Sequence, residues 1–175
     1  MTHHTIDQLI QSLQLETLPV EGTLFKNTYR SKETNSQGEP ISTCMIGLLS
    51  EEPLSLSRFH RLTHDEIWHF YGGDAFMLYL LFANGESSAI VMGADILSGQ
   101  HLQFVVPAGT WQAARLCQGG NYAIFGCTMA PGFTGNCFEG GNTETLMREH
   151  PERAEWITAL AVHDMETKMP EGFVG

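Results

Sequence analysis

The chain has 175 residues, 42% of them hydrophobic and 17% charged, which suits one domain with a core of its own and no need of covalent staples. With 20 acidic against 9 basic residues its formal net charge is −11, a balance that repels phosphate backbones and anionic lipid and disfavours nucleic-acid and membrane-surface roles. No apolar run approaches the ~20 residues of a membrane span, no basic-then-apolar leader opens the chain, and Cys44, Cys117, Cys127 and Cys137 form no C-x-x-C pair; a reduced, cytoplasmic protein with free thiols is expected.

In chain order, Thr5-Ile-Asp-Gln8 reads as a capping box, and Ile6, Leu9, Ile10 and Leu13 follow at helical spacing. A short amphipathic helix is therefore predicted over residues 5–14, ending before Pro19. From residue 23 to about 130 the pattern changes to strands, at 24–30, 42–49, 56–62, 66–71, 75–82, 88–92, 102–106, 112–118 and 121–128. Turn signals separate them, and Asn84-Gly85 predicts a two-residue hairpin. Short strands with no helical pattern between them predict an all-β sandwich or barrel of antiparallel strands. Helices are predicted at Thr143–Glu149 and Pro151–Val162, packed outside the barrel, and the tail Glu171–Gly175 is expected to fray. The expected organisation is one domain over 1–175, with a strand core at about 20–133 and a helical extension at about 142–163.

Chemistry-bearing residues concentrate in Phe59–Gly73, where three histidines and two carboxylates interrupt a strand-like run. Side chains alternate along a strand, so Glu66, Trp68 and Phe70 share one face while Ile67, His69 and Tyr71 share the other. On the preceding strand Arg58, His60 and Leu62 lie together. If the Glu66 face points inward, a carboxylate sits against an aromatic wall, opposite His60. A buried carboxylate and imidazole can share a proton, as general acid–base work requires; His60 and Glu66 are the candidate catalytic pair. Further on, Pro107-Ala-Gly109 should turn the chain so that Gln112, flanked by alanines, has room beside it. Candidate substrate contacts are Arg58 for an anionic group, Trp68 as a wall, Gln112, and Gln103 at the mouth. His69 is expected to face away, into packing or an interface, and Arg115 to be structural, a partner for Asp65 or Glu66.

These strings resemble a known family. His60, Glu66 and Gly73 resemble the first cupin motif, His-x-His-x(3,4)-Glu-x(6)-Gly, and Pro107-x-Gly109-x-x-Gln112 resembles the second, Pro-x-Gly-x-x-His. More closely, residues 60–71, Gly99-Gln100, residues 105–115 and Gly126–Phe133, with Glu21-Gly22 and Thr28–Ser31 at the start, resemble the uncharacterised DUF985 or cupin-5 branch of RmlC-like cupins over about residues 9–160. The resemblance implies a double-stranded β-helix jelly roll, a homodimer and a small-molecule pocket in the barrel. Metal-binding cupins take two His and a Glu from the first motif and a His from the second. Here Leu62 and Gln112 stand at two of those positions. A divalent metal would have to be held by His60, Glu66, Gln112 and, if its turn points inward, His64. Three functions follow as expectations: an epimerase- or isomerase-like enzyme with His60 as base or shuttle and Glu66 as its partner; a metal-dependent oxygenase or isomerase; and a non-catalytic binding or sensor protein.

Overall fold

The computed structural model describes residues 3–162 and 166–174, and side chains from Thr5 onward. Helix α1 (His3–Leu13) is followed by strands β1 (Glu16–Thr17), β2 (Leu24–Arg30), β3 (Thr43–Ser50), β4 (Ser57–Leu62), β5 (Glu66–Gly73), β6 (Phe76–Leu81) and β7 (Ser87–Met92). Strands β8 (Gln103–Val106), β9 (Trp111–Leu116), β10 (Tyr122–Met129) and β11 (Phe138–Gly140) follow, then helices α2 (Thr143–Glu149) and α3 (Ala154–Leu160). All nine predicted strands are present, within a residue or two at their ends.

The strands form two antiparallel sheets, ordered β1-β2-β3-β10-β5-β8 and β11-β4-β9-β6-β7. This is a jelly roll. Neighbours in each sheet are mostly distant in sequence, so the fold is held by long-range pairing such as β10 against both β3 and β5. Between the sheets lies a core of Leu49, Trp68, Phe125 and Cys127 from the large sheet and Phe76, Leu78, Leu80 and Ala114 from the small one. Each fully buried large apolar side chain contributes about 1.5–3 kcal/mol relative to exposure. Within the large sheet, Gly47 of β3 lies opposite Phe125 of β10 and under its ring; a Cβ there would collide with that ring.

The outer face of the small sheet is covered by the C-terminal helices, Leu81, Trp111 and Ala113 packing on Leu146, Ile157 and Leu160. Asn142 caps α2, its side chain accepting from the Thr145 N–H at 2.8 Å. The second predicted helix is instead a 3₁₀ turn, Pro151–Arg153, followed by α3; position 163, the predicted end of the extension, lies outside the described residues.

Several details differ from the sequence expectations. Thr5 lies inside α1, so Thr5–Gln8 is not its capping box. The β6–β7 connection is a three-residue loop: Phe82 N–H donates to the Glu86 carbonyl and Gly85 takes φ 85°, the left-handed closing residue such loops need. The tail is docked rather than frayed. Arg30 donates to the carbonyls of Phe133 (2.8 Å) and Val174 (2.7 Å), and the Phe173 ring packs on Phe25 and Phe133 at centroid distances of 6.4 and 6.2 Å. Gly175 lies outside the described residues. Among the described residues no helix is long and apolar enough to cross a membrane.

Candidate functional site

At the end of the sandwich capped by the tail, the sheets diverge around a hollow with about 450 Å³ of empty space, partly shared with solvent. Only about 40 Å³ of it admits the centre of a water molecule, room for a few waters, so a larger ligand must displace a side chain. The walls are mostly apolar: Leu18, Phe25, Met45, Leu62, Met129, Phe133, Phe138 and Phe173. The polar groups are Glu21, His60, Glu66, Asn27, Thr43 and the thiol of Cys127. Among the described residues no Lys or Arg contributes to this lining.

His60 lies in β4 directly opposite Gln112 of β9, while Glu66 opens β5 in the facing sheet. The turn Val20–Gly22, both ends at positive φ (66° and 89°), brings Glu21 in from the other side. Its carbonyl accepts from the Arg58 N–H at 3.2 Å, which ties the turn to β4. His60 Nδ1 is 2.9 Å from the Arg58 carbonyl. A carbonyl only accepts, so Nδ1 carries a proton. Nδ1 is also 3.9 Å from Glu21 Oε2, and Nε2 is 3.9 Å from Glu66 Oε2. The ring stacks on Phe138 with centroids 5.3 Å apart.

This environment fixes the charge of His60. Burial of the ring pushes its pKa down, but the Glu21 charge and the contact with Glu66 outweigh it, and the pKa is raised to about 9. His60 is an imidazolium at neutral pH. The Cys127 thiol is pushed up, first by burial and then by the Glu66 and Glu21 charges, so it stays protonated.

Behind the hollow a chain of hydrogen bonds holds Glu66. Trp68 Nε1 donates to Gln112 Oε1 at 2.7 Å, and Gln112 Nε2 donates to Glu66 Oε2 at 2.8 Å. Indole N–H only donates, which fixes the orientation of the amide. Thr23 Oγ1 similarly donates to Glu21 Oε1 at 2.6 Å.

The structure thus brings together His60, Glu66, Gln112 and Trp68, the last two as supports. Trp68 is in the core, stacked on Phe125 at 4.8 Å. The other candidates lie elsewhere. Arg58 points toward Gly22 and the Ala161 carbonyl, the latter at 3.5 Å, and is not part of the hollow's wall. Gln103 is exposed on the outer face, 3.1 Å from His69 Nδ1. His64 pairs with Glu39 at 3.0 Å. Arg115 pairs with Glu51 at 3.6 Å rather than Asp65 or Glu66; Asp65 accepts from the Ala108 N–H. Glu21 and Phe173 were not singled out from the sequence. Glu21-Gly22 marks the domain start in the family resemblance, but its loop position gives no facing, and Phe173 carries no pattern.

A divalent metal does not fit these donors. The carbonyl oxygen of Gln112 accepts from Trp68 and its amide NH₂ faces Glu66, so the amide turns a donor rather than its oxygen toward the carboxylate. His64 is outside, His60 carries protons, and among the described residues no group of three or more His, Cys, Asp or Glu is placed to hold a metal.

Residues 7–140 match the sequence profile of a cupin superfamily family, DUF985. A crystal structure from Shewanella oneidensis is similar at 32% identity and TM-score 0.82, over 89% of this chain and 96% of that one. A hypothetical protein from Leishmania major is similar at 26% identity and TM-score 0.81, over 90% and 98%. A cupin 2 conserved barrel domain protein from Rhodopseudomonas palustris shares the fold at 13% identity and TM-score 0.53, over 78% and 80%. Among curated proteins nothing matches the chain.

Proposed function

The chain belongs to the DUF985 family of the cupin superfamily, and on that premise we propose that it is a proton-transfer enzyme acting on a small molecule held in the hollow. The observation that carries this reading is the imidazolium of His60 set between Glu21 and Glu66, at 3.9 Å from each, on the polar side of an otherwise apolar cavity. With a raised pKa His60 is a general acid rather than the base expected from the sequence, and the Glu66 carboxylate is the base.

In the forward step the His60 Nε2–H bond breaks and an N–H or O–H bond forms on a ligand heteroatom. In the same step Glu66 takes a proton from a neighbouring ligand atom. Return of a proton from Glu66 to His60, across 3.9 Å and through the product or a water, restores both groups. The net result is an isomerisation with no change in composition. Gln112 and Trp68 orient Glu66, and Thr23 orients Glu21.

Deuterium incorporation tests this. The protein is incubated in D₂O with a mixture of small metabolites and the mixture is read by mass spectrometry. One or more compounds should gain deuterium with the wild type and not with folded His60→Gln or Glu66→Gln. A compound retained by the protein without label would mean a binding protein instead, and overturn the enzymatic reading.

We also propose that the partner of the outer face of the large sheet is a second copy of the chain. By strand register Tyr29, Ile67, His69, Tyr71 and Val105 share that face, and Tyr29, Tyr71 and Val105 are exposed.

A further inference from the structure

The polar side of the hollow defines the chemical class of the molecule it takes, provided that it is a ligand site at all. His60 is 3% exposed, and its Nε2 makes no hydrogen bond to a described residue, since the nearest carboxylate oxygen is 3.9 Å away. His60 borders the hollow, so an acceptor on a bound molecule would receive the N–H there. Glu66 presents the opposite need. Its Oε2 receives the Gln112 N–H, and the weak S–H donor of Cys127 also lies against the carboxylate. The two demands lie side by side: an acceptor for His60 and a donor for Glu66.

We infer that the hollow takes an uncharged molecule with a donor and an acceptor within one small polar group, such as a carboxamide, lactam or carbinol, attached to a flat apolar body. An anion has no donor for Glu66 and meets a second carboxylate in Glu21, with no Lys or Arg among the described residues of the wall to offset either. A cationic amine has no acceptor for His60 and would place like charge beside the imidazolium. The rest of the wall, including Phe25, Phe133, Phe138 and Phe173, favours a flat apolar body.

Three isosteric probes separate the possibilities: benzamide, benzoate and benzylamine. Each is titrated at pH 7 to about 10 mM, the range where fragments of this size bind, into full-length protein with ¹⁵N-labelled histidine. The His60 imidazole signals are assigned by comparison with His60→Gln. Benzamide should bind saturably and shift His60 Nε2, and the other two should bind at least about tenfold more weakly. Benzoate binding as tightly as benzamide would overturn the inferred class while leaving the hollow a ligand site. Benzylamine binding as tightly or better would mean that His60 presents a lone pair, and would overturn it too. Saturable benzamide binding that leaves His60 unmoved places the amide elsewhere and has the same consequence. No binding by any probe overturns both this inference and the ligand-site reading on which it rests.

Discussion

The proposed chemistry and a pH-dependent part of the stability both rest on His60. Its pKa is raised to about 9 by Glu21 and Glu66 against the penalty of burial, while in the unfolded chain it is near 6.5. The folded state therefore holds this proton more tightly than the unfolded state. The stabilisation, on the order of 3 kcal/mol, is complete below about pH 6.5 and is lost as pH rises through about 9. Denaturant midpoints should fall over that window, and ¹⁵N histidine spectra should show His60 titrating near its upper end; turnover should fade over the same range as the acid is lost. His60→Gln should flatten that slope. Gln112 tests the support behind the pair. Gln112→Ala leaves the buried Trp68 N–H without its acceptor and should cost about 1–3 kcal/mol in equilibrium unfolding, whereas exposed Gln103→Ala should stay within about 0.5 kcal/mol of wild type. The alternation of β5 shows in the sequence that Glu66 and Trp68 share a face. That Gln112 bonds both is not readable there, because it depends on how far apart the two sheets sit.

At the scale of elements, the placement of the Phe125 ring on β10 depends on the bare backbone of Gly47 on the neighbouring strand β3. Gly47→Ala puts a methyl into the Phe125 ring and should destabilise by about 1–3 kcal/mol through overpacking. The tail is the more mobile-sounding element by sequence and the more structured in fact. Its composition, Glu171-Gly-Phe-Val-Gly175, gives no helical or strand period, yet Phe173 packs into the wall of the apolar hollow. Arg30 fastens it by two carbonyl contacts. Arg30→Ala should speed tryptic cleavage at Lys168 several-fold with little change in the melting temperature of the barrel, and Phe173→Ala should speed entry of a ligand into the hollow. Strand positions were legible because turns and β-branched runs are local signals. The β6–β7 loop length was not, since Asn-Gly suits both two- and three-residue loops and the register of Phe82 with Glu86 decides between them.

For the whole molecule, the two faces of the sandwich have different fates. The small sheet is covered by α2 and α3, while the large sheet leaves Tyr29, Tyr71 and Val105 open at 54%, 56% and 49% exposure. A second copy could cover this face, and a stable pair would bury about 800 Å² on each partner. Sedimentation velocity should find a dimer, and Tyr71→Asp should shift it to monomer with the barrel intact; a monomeric wild type at micromolar concentration would remove the proposal.

The sequence by itself determined the family through its motif strings, and it determined the strand positions and the face that Glu66 shares with Trp68 because turn chemistry and alternation are properties of neighbouring residues. Only the tertiary structure decided the protonation of His60 and the unsuitability of Gln112 as a metal ligand. It also decided the closure of the hollow by Phe173. Each of these depends on groups far apart in the chain: Glu21 lies beyond two strands from His60, Trp68 donates to the Gln112 oxygen, and the tail reaches back to Arg30. Charge and hydrogen-bond capacity are settled by such distances, and a one-dimensional pattern does not contain them.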